Sequence, residues 1–192
     1  VMTLPTRIVL DTVAQCGEKG IKNAIVVSGG FREVGAKGRD MEQALIQTTH
    51  RYGMRFLGPN CLGVANPHHK LNTTFLPYQG NAGFLGMVSQ SGSFITQMFD
   101  YLSRIGMGFS TAISVGNEAD IDLVEGLKYL AACPHTNVIS LYIETIRNPR
   151  NFIEAASAVT LKKPVIAYYV GGSESGKQAC LSHTGALSGP DR

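Results

Sequence analysis

The stretch FLGMVSQSGSFITQMFDYLSRIG, residues 84–106, contains the unit from which the fold can be predicted. Its start, Phe84 to Val88, is largely apolar and predicts a strand, which the small polar residues Ser89 to Gly92 bring to an end. The apolar side chains that follow share one helix face, and they are Phe94, Ile95, Met98, Phe99, Leu102 and Ile105. Gly106 then stops the helix. A strand, a turn and an amphipathic helix in this order are typical of α/β proteins.

The same unit repeats on both sides of this stretch. Strands are predicted at residues 21–27, 55–57, 110–115, 138–144 and 165–170, and helices at residues 5–16, 40–52, 120–132 and 149–161. Asp40 and Asn148 are expected to cap the helices that start beside them. Residues 165–170 are all apolar or aromatic, which predicts a strand buried on both faces. The alternation predicts an α/β fold of parallel sheets covered by helices.

Glycine-rich turns follow five of the predicted strands, and ligands of α/β proteins bind at such strand ends. The turns are Ser28–Phe31, Gly58–Gly63, Ser89–Gly92, Gly116–Asp120 and Gly171–Lys177. Residues 65–82 are rich in Asn, Pro, His and Gly and predict a linker. The first two turns are therefore assigned to one sheet and the other three to a second sheet. Two separate sites are expected.

Composition and charge narrow the classes of function. The 192 residues are 44% hydrophobic, which is enough apolar material for a buried core. The net charge of +3 is spread along the chain and gives no basic patch for nucleic acid or a membrane surface. No apolar run reaches the ~18 residues of a membrane span, and the start of the chain has no signal-peptide pattern. The four cysteines lie far apart, which predicts reduced thiols in a cytoplasmic protein.

The stretch VIAYYVGGSESGKQACLSHTGALSG, residues 165–189, carries the strongest candidate for a reactive side chain. His183 stands between two hydroxyl residues and just before a glycine, so it has little apolar surface to pack against. Gly171 to Lys177 also fits most of a P-loop, but Gln178 stands where that motif requires Ser or Thr for Mg²⁺. The P-loop interpretation is therefore disfavoured, and His183 is predicted to react.

Five motifs together resemble one family. They are GPNCLG at 58–63, GMVSQSGS at 86–93, GNEADID at 116–122, YIE at 142–144 and SHTGAL at 182–187. In this order they resemble the nucleoside-diphosphate-forming acyl-CoA synthetases, which include the succinyl-CoA synthetase α subunit and the ADP-forming acetate–CoA ligases. Leu62 and SHTGAL, in place of the proline and GHAGA of succinyl-CoA enzymes, favour the acetate-type branch.

The resemblance implies a domain organisation. Residues 1–66 are implied to be the C-terminal half of a Rossmann-like CoA-binding domain, and residues 67–82 a linker. Residues 83–192 are implied to be a flavodoxin-like domain of the succinyl-CoA synthetase type, truncated at its C-terminal end. The family's glycine-rich CoA turn and its ATP-grasp part are expected outside this chain, so the fragment alone is expected to be inactive.

The resemblance also assigns roles to individual residues. His183 is implied as the phosphorylated histidine, and Glu144 as the carboxylate that hydrogen-bonds its ring. Residues implied to bind phosphate are Ser89, Gln90, Ser91 and Gly92, and those implied to contact CoA are Gly29, Gly30, Phe31, Asn60 and Cys61. From the residues alone, Glu144 can also be a solvated strand-end carboxylate, and Cys61 a small buried residue. Asp120 and Asp122 are predicted to cap a helix, and no metal ligand is assigned.

The activity implied by the resemblance is that of an acid–CoA ligase. Acyl-CoA and phosphate give an acyl phosphate, then a phosphohistidine, and finally ATP from ADP. The implied partners are CoA, a small carboxylic acid, phosphate, and an ATP-grasp domain or subunit that holds the nucleotide and Mg²⁺, with an oligomer expected in the intact enzyme. The alternative is a non-catalytic module of acetyltransferase-type relatives that senses CoA or acyl-CoA. These relatives often lack the histidine, so His183 favours the enzyme.

Overall fold

The computed structural model describes residues 1–76 and 81–170, together with residues 172 and 176. Within these residues the helices are α1 (Thr6–Glu18), α2 (Ala36–Arg51), α3 (Gly92–Arg104), α4 (Leu123–Ala132) and α5 (Pro149–Thr160). The strands are β1 (Asn23–Ile25), β2 (Arg55–Leu57), β3 (Val64–Asn66), β4 (Leu71–Asn72), β5 (Leu85–Ser89), β6 (Phe109–Ser114), β7 (Val138–Ile143) and β8 (Val165–Tyr169). Short 3₁₀ helices lie at Arg32–Val34 and Pro67–His69.

Parallel pairing dominates the two sheets. β1 and β2 form a parallel pair, and the other strands form one sheet in the order β4-β3-β6-β5-β7-β8. β6, β5, β7 and β8 run parallel, whereas β3 is antiparallel to both of its neighbours. Apolar side chains of α3 pack on one face of the larger sheet, and those of α4 and α5 pack on the other. The predicted α/β fold with mostly parallel sheets is confirmed.

The smaller sheet has a core of its own that α1 and α2 help to form. Val9 and Val13 of α1 and Leu45 of α2 are fully buried in one cluster with Phe56 of β2. The prediction of a helix at residues 5–16 is therefore confirmed, and the helix extends to Glu18. Among the described residues, none of the helices has the length and apolar character that crossing a bilayer requires.

The segment predicted as a linker contains structure that belongs to the larger sheet. β3 pairs with β6 through Val64 opposite Ile113, and β4 then pairs with β3 through Leu71 opposite Asn66. These strands cover the edge of β6, whose backbone groups need partners. The difference arises because β3 and β4 are three and two residues long, too short for a periodic pattern to show in the sequence.

The start of α2 differs from the prediction. The helix begins at Ala36 after Gly35, which has φ +102° and no side-chain cap, so Asp40 is an exposed residue inside the helix and not its cap. The first turn of α2 lies tightly against the preceding turn, since a Cβ on Gly38 would be 1.7 Å from the Phe31 carbonyl oxygen. Close backbone packing therefore sets the start of this helix, and no capping signal marks it.

β8 is not the doubly buried strand that its composition predicts. Among the described residues it pairs with β7 alone, at the edge of the sheet, and the side chains of Ile166 and Tyr168 are 61% and 59% exposed. An apolar run shows that a strand tolerates burial, but it does not show which neighbours cover the strand. The prediction that residues 165–170 form a strand buried on both faces is therefore wrong for the part of the chain that the structure describes.

Candidate active site

One cleft collects residues from both halves of the chain. It has a volume of about 440 Å³ and is lined by Val27, Asn60, Cys61, Leu62, Phe75, Leu76, Gln90, Gly92, Ser93 and Thr96. The loop Gly58–Gly63 contributes to one wall, and the loop Ser89–Gly92 with the first turn of α3 contributes to the other. The two loops meet because β3 enters the larger sheet directly after the first loop, where Leu62 N–H donates to Ser114 Oγ at 3.0 Å. The expectation of two separate sites is wrong for these loops.

Two backbone N–H groups of the Ser89–Gly92 loop already have hydrogen-bond partners. The N–H of Gln90 donates to the Tyr142 carbonyl oxygen at 3.2 Å, and the N–H of Ser91 donates to Ser89 Oγ at 3.1 Å. Ser91 Oγ accepts from the N–H of Phe94 at 3.4 Å and so caps α3. The first N–H groups of a helix have no partner within the helix.

Among the described residues, no partner is bound to the N–H groups of Gly92 and Ser93, which both line the cleft and are therefore the candidate donors for an anion. Sequence reasoning missed Ser93 as a site residue, although it lies in the motif GMVSQSGS. Its position two residues after the helix cap was the available signal, because the second residue after a cap presents its N–H at the helix terminus.

Glu144 follows β7 directly and lies beside the Ser89–Gly92 loop. It is 3% exposed, so the alternative interpretation of Glu144 as a solvated strand-end carboxylate is wrong. Ser89 of β5 stands opposite Tyr142 of β7, and the N–H of Glu144 donates to Gln90 Oε1 at 2.6 Å. His183 lies outside the described residues, so its contact with Glu144 stays a prediction.

The Gly171–Lys177 turn also falls largely outside the described residues, of which it contains 172 and 176. Its comparison with a P-loop therefore stays a matter of sequence.

Cys61 forms part of the cleft wall as an inert thiol. It is 4% exposed, and its Sγ donates to the Val26 carbonyl oxygen at 3.4 Å. Burial raises the pKa of Cys61 to about 12, so the thiol is protonated at neutral pH and is a poor nucleophile. The interpretation of Cys61 as a small buried residue is confirmed, and it is compatible with contact to a ligand in the cleft.

The turn predicted to contact CoA is closed by a carboxylate. Glu33 Oε1 accepts from the N–H of Gly30 and from that of Phe31, the latter at 3.1 Å. Phe31 is fully buried among side chains of α1 and α2, so its ring faces the core and its backbone alone faces the turn. Contact between Gly29, Gly30 or Phe31 and a ligand stays a prediction.

Asn117 ties the two units together, and sequence reasoning did not single it out. It is fully buried, and its Nδ2 donates to Glu33 Oε2 at 2.7 Å and to Glu42 Oε2 at 2.8 Å. Asn60 Nδ2 donates to Asn117 Oδ1 at 3.3 Å. Burial raises the pKa of Glu42, while the Asn117 amide and Arg32 oppose that rise. No local pattern in the sequence marks this role, because Glu33 and Glu42 lie 84 and 75 residues before Asn117 in the chain.

Glu118 is a buried acid in the turn that follows β6. Its side chain accepts from the N–H of Leu123 at 2.8 Å, and the Arg147 guanidinium lies 3.9 Å away. Burial raises the pKa of Glu118 to about 7, although hydrogen bonds from Gln90 and Leu123 oppose the rise.

The two neighbouring aspartates have different roles. Asp122 caps α4 through the N–H of Glu125, as predicted, whereas Asp120 binds the Arg55 side chain at 2.8 Å and the Phe56 N–H at 2.7 Å. The capping role predicted for Asp120 is wrong, because its carboxylate is bonded to Arg55 and to the N–H of Phe56, and Asp122 caps α4 instead. Within residues 1–76 and 81–170, no group of three His, Cys, Asp or Glu side chains is arranged to hold a metal ion.

Comparison with known proteins defines the class. Residues 82–192 match the model of the succinyl-CoA ligase like flavodoxin domain, and residues 1–67 match that of the CoA binding domain. The chain belongs to this succinyl-CoA ligase-like family, and the family predicted from the five motifs is confirmed.

Named relatives are acid–CoA ligases. The chain is 44% identical over 191 residues to the acetate–CoA ligase (ADP-forming) II subunit alpha of Pyrococcus furiosus, which is 98% of this chain and 41% of that subunit. It is 38% identical over 195 residues to the 4-hydroxybutyrate–CoA ligase (ADP-forming) of Nitrosopumilus maritimus, which is 100% of this chain and 28% of that enzyme.

A solved structure has the same fold. The dinucleotide forming acetyl-coenzyme A synthetase 1 of Ca. Korarchaeum cryptofilum, in complex with phosphate and ADP, superposes with a TM-score of 0.91 at 39% identity, over 98% of this chain and 40% of that chain. The chain therefore spans less than half the length of these relatives.

Proposed function

We propose that this chain supplies the acyl-transfer and phosphoryl-transfer centre of an ADP-forming acid–CoA ligase of the acetate type. The observation that carries the proposal is the cleft in which the Cys61 loop of the CoA-binding unit meets the N-terminus of α3. Relatives at 38% to 44% identity that are named ADP-forming acid–CoA ligases support it.

The proposed reaction has three reversible transfers. A phosphate oxygen attacks the carbonyl carbon of acyl-CoA, the C–S bond breaks, and the thiolate of CoA leaves. A ring nitrogen of His183 then attacks the phosphorus of the acyl phosphate, the P–O bond to the acyl group breaks, and the carboxylate takes the electron pair. An oxygen of ADP finally attacks the phosphorus on His183, and the P–N bond breaks to give ATP.

Each wall of the cleft has a proposed task. The N–H groups of Gly92 and Ser93 hold phosphate oxygens, and the helix terminus favours the negative charge by ~0.3–1 kcal/mol, or up to ~2 kcal/mol when partly buried. Asn60 and Cys61 line the end of the cleft where the thioester lies. Glu144 orients the ring of His183 and stabilises the positive charge that the ring acquires when it attacks phosphorus.

The nucleotide is proposed to bind elsewhere. An ATP-grasp domain or subunit with Mg²⁺ is the proposed partner, which the small share of the relatives covered by this chain supports. The proposed domain limits are 1–66, 67–82 and 83–192. The complete enzyme is proposed to be cytoplasmic and oligomeric, and this chain alone to be inactive.

Phosphate labelling of the complete protein tests the proposal. Labelled ATP and Mg²⁺ should give an acid-labile, base-stable phosphoprotein, and His183→Ala should lose both the label and acyl-CoA synthesis. His50→Ala, at an exposed position near the end of α2, is the matched control and should retain both. If His183→Ala turns over at the parental rate, the phosphohistidine mechanism is wrong and a CoA-sensing regulatory module fits the chain better.

A further inference from the structure

The carboxamide of Gln90, the residue after β5, is bonded to the backbone at the end of the neighbouring strand. Its Oε1 accepts from the N–H of Glu144 at 2.6 Å and from the N–H of Thr145 at 3.0 Å. Its Nε2 donates to the Thr145 carbonyl oxygen at 2.7 Å. Gln90 is 4% exposed, so water does not readily replace these bonds. Three hydrogen bonds therefore fix the two residues that follow β7.

The side chain continues the pairing of β5 with β7 past the ends of both strands. Backbone pairing runs as far as Ser89 and Tyr142, and the N–H of Gln90 still donates to the Tyr142 carbonyl oxygen. Beyond that bond the Gln90 side chain supplies the acceptor and the donor for the next residues of the β7 chain. Glu144 is thus held by a side chain from the same loop that opens α3.

The chemistry of the position favours a carboxamide. A carboxamide accepts and donates at once, whereas a carboxylate only accepts. Gln90 also lies near the buried carboxylate of Glu118, where its amide opposes the rise in the pKa of that group. A glutamate at position 90 would direct a carboxylate at the Thr145 carbonyl oxygen and at Glu118, and an apolar residue would remove the acceptor of the buried Glu144 N–H.

We propose that Gln90 is a positioning residue for phosphoryl transfer, which holds Glu144 at a fixed separation from the N-terminus of α3. This inference rests on the proposed function, since Glu144 acts there on His183 while Gly92 and Ser93 hold the phosphoryl group. It gives Gln90 a different task from the phosphate contact that the motif implies. A misplacement of about 1 Å can slow a transfer of this kind about 100-fold.

A double-mutant cycle in the complete protein tests whether Gln90 acts through Glu144. The single-turnover rate of histidine phosphorylation is measured for Gln90→Met, Glu144→Gln, the combined variant and the parent. Gln90→Met keeps the length of the side chain and removes its hydrogen bonds, so we expect a rate about 10-fold to 100-fold lower. In the Glu144→Gln background the same change should cost less than about twofold. The KM values for CoA and nucleotide should stay within about twofold of the parent.

Controls separate this role from simple stabilisation. Gln97→Met, at an exposed position of α3, makes the same replacement and should leave the rate unchanged. Gln90→Glu has the shape of the native side chain and should also be slow. It keeps the test decisive if Gln90→Met does not fold.

The outcomes distinguish the inference from the proposed function. A labelled parent whose rate is unaffected by both Gln90 variants overturns the inference alone. Equal losses in the parental and Glu144→Gln backgrounds also overturn it, because Gln90 would then act independently of Glu144. A parent that takes no label at all overturns the proposed function and the inference with it.

Discussion

The two walls of the cleft use glycine for different purposes. In the Gly58–Gly63 loop glycine allows the chain to pack closely, since a Cβ on Gly58 would lie 2.4 Å from the Val26 carbonyl oxygen. In the Ser89–Gly92 loop Gly92 is the first residue of a helix, and a Cβ there would meet Leu62 Cβ at 3.1 Å across the cleft. A glycine-rich turn after a strand is therefore not in itself an anion site. The helix that begins at the second turn makes the difference.

The close packing around the Gly58–Gly63 loop should be most sensitive to substitution at Gly116, whose backbone lies against Pro59 and Asn60. This residue has φ +55°, and a Cβ would lie 2.4 Å from the Pro59 carbonyl oxygen, so Gly116→Ala should lower the free energy of unfolding by about 3 kcal/mol. Gly106→Ala is the matched control, because Gly106 also has a positive φ but no atom within 4 Å, and about 1 kcal/mol is expected. Chemical denaturation measures both. Equal losses in the free energy of unfolding for the two variants would show that the packing of Gly116 against the Gly58–Gly63 loop contributes nothing to stability.

Asn117→Ala should also destabilise the protein, by a smaller amount than Gly116→Ala. The change removes the amide that donates to the carboxylates of Glu33 and Glu42, and a loss of about 2–3 kcal/mol in the free energy of unfolding is expected. Asn137→Ala, at an exposed position before β7, is the control and should stay within about 0.5 kcal/mol of the parent. Denaturation curves that coincide for Asn117→Ala and the parent would contradict the role of this residue.

Glu118 should make stability depend on pH. Its pKa is about 7 in the folded protein against 4.5 as the reference, so the folded chain retains a proton that the unfolded chain has lost between these values. The stability present below pH 4.5 is therefore lost as the pH rises through about 7. Glu118→Gln abolishes this loss and should gain roughly 2 kcal/mol relative to the parent over that range. Glu18→Gln, at the exposed end of α1, is the control, and its free energy of unfolding should follow that of the parent across this pH range. If the free energy of unfolding of Glu118→Gln also followed that of the parent, the role of Glu118 would be contradicted.

Cys61 should show the smallest effect, since a protonated wall residue takes no part in bond formation. Cys61→Ala in the complete protein should keep the ligase rate within about twofold of the parent. Iodoacetamide at neutral pH should modify the half-buried Cys16 and Cys133 before Cys61, as peptide mass analysis would show. Rapid alkylation of Cys61, or a loss of activity as large as that of His183→Ala, would assign it a chemical role.

The sequence predicts those parts of the molecule whose signal is local. α4 and α5 begin directly after their expected capping residues, Asp122 and Asn148, because a side chain near the helix start satisfies an N–H there. The strand at Arg55–Leu57 also has its expected bounds. The five motifs indicate the family because each combines a strand end with its turn.

Features that depend on distant neighbours escape the sequence. The pairing of β8 with β7 alone in the part of the chain that the structure describes, the strands β3 and β4, and the bonds of Asn117 to Glu33 and Glu42 all depend on residues far along the chain. For the same reason Gln90 resembles a phosphate-loop residue in sequence, whereas its side chain bonds Glu144 and Thr145 at the end of another strand. Spacing along the chain does not encode such contacts.

A crystal structure of the complete protein with phosphate tests the contrast between the two walls most directly. We predict a phosphate whose oxygens lie within hydrogen-bonding distance of the N–H groups of Gly92 and Ser93 and of a ring nitrogen of His183. A phosphate bound to the Gly58–Gly63 loop instead, or a His183 at the opposite edge of the sheet from α3, would contradict the account.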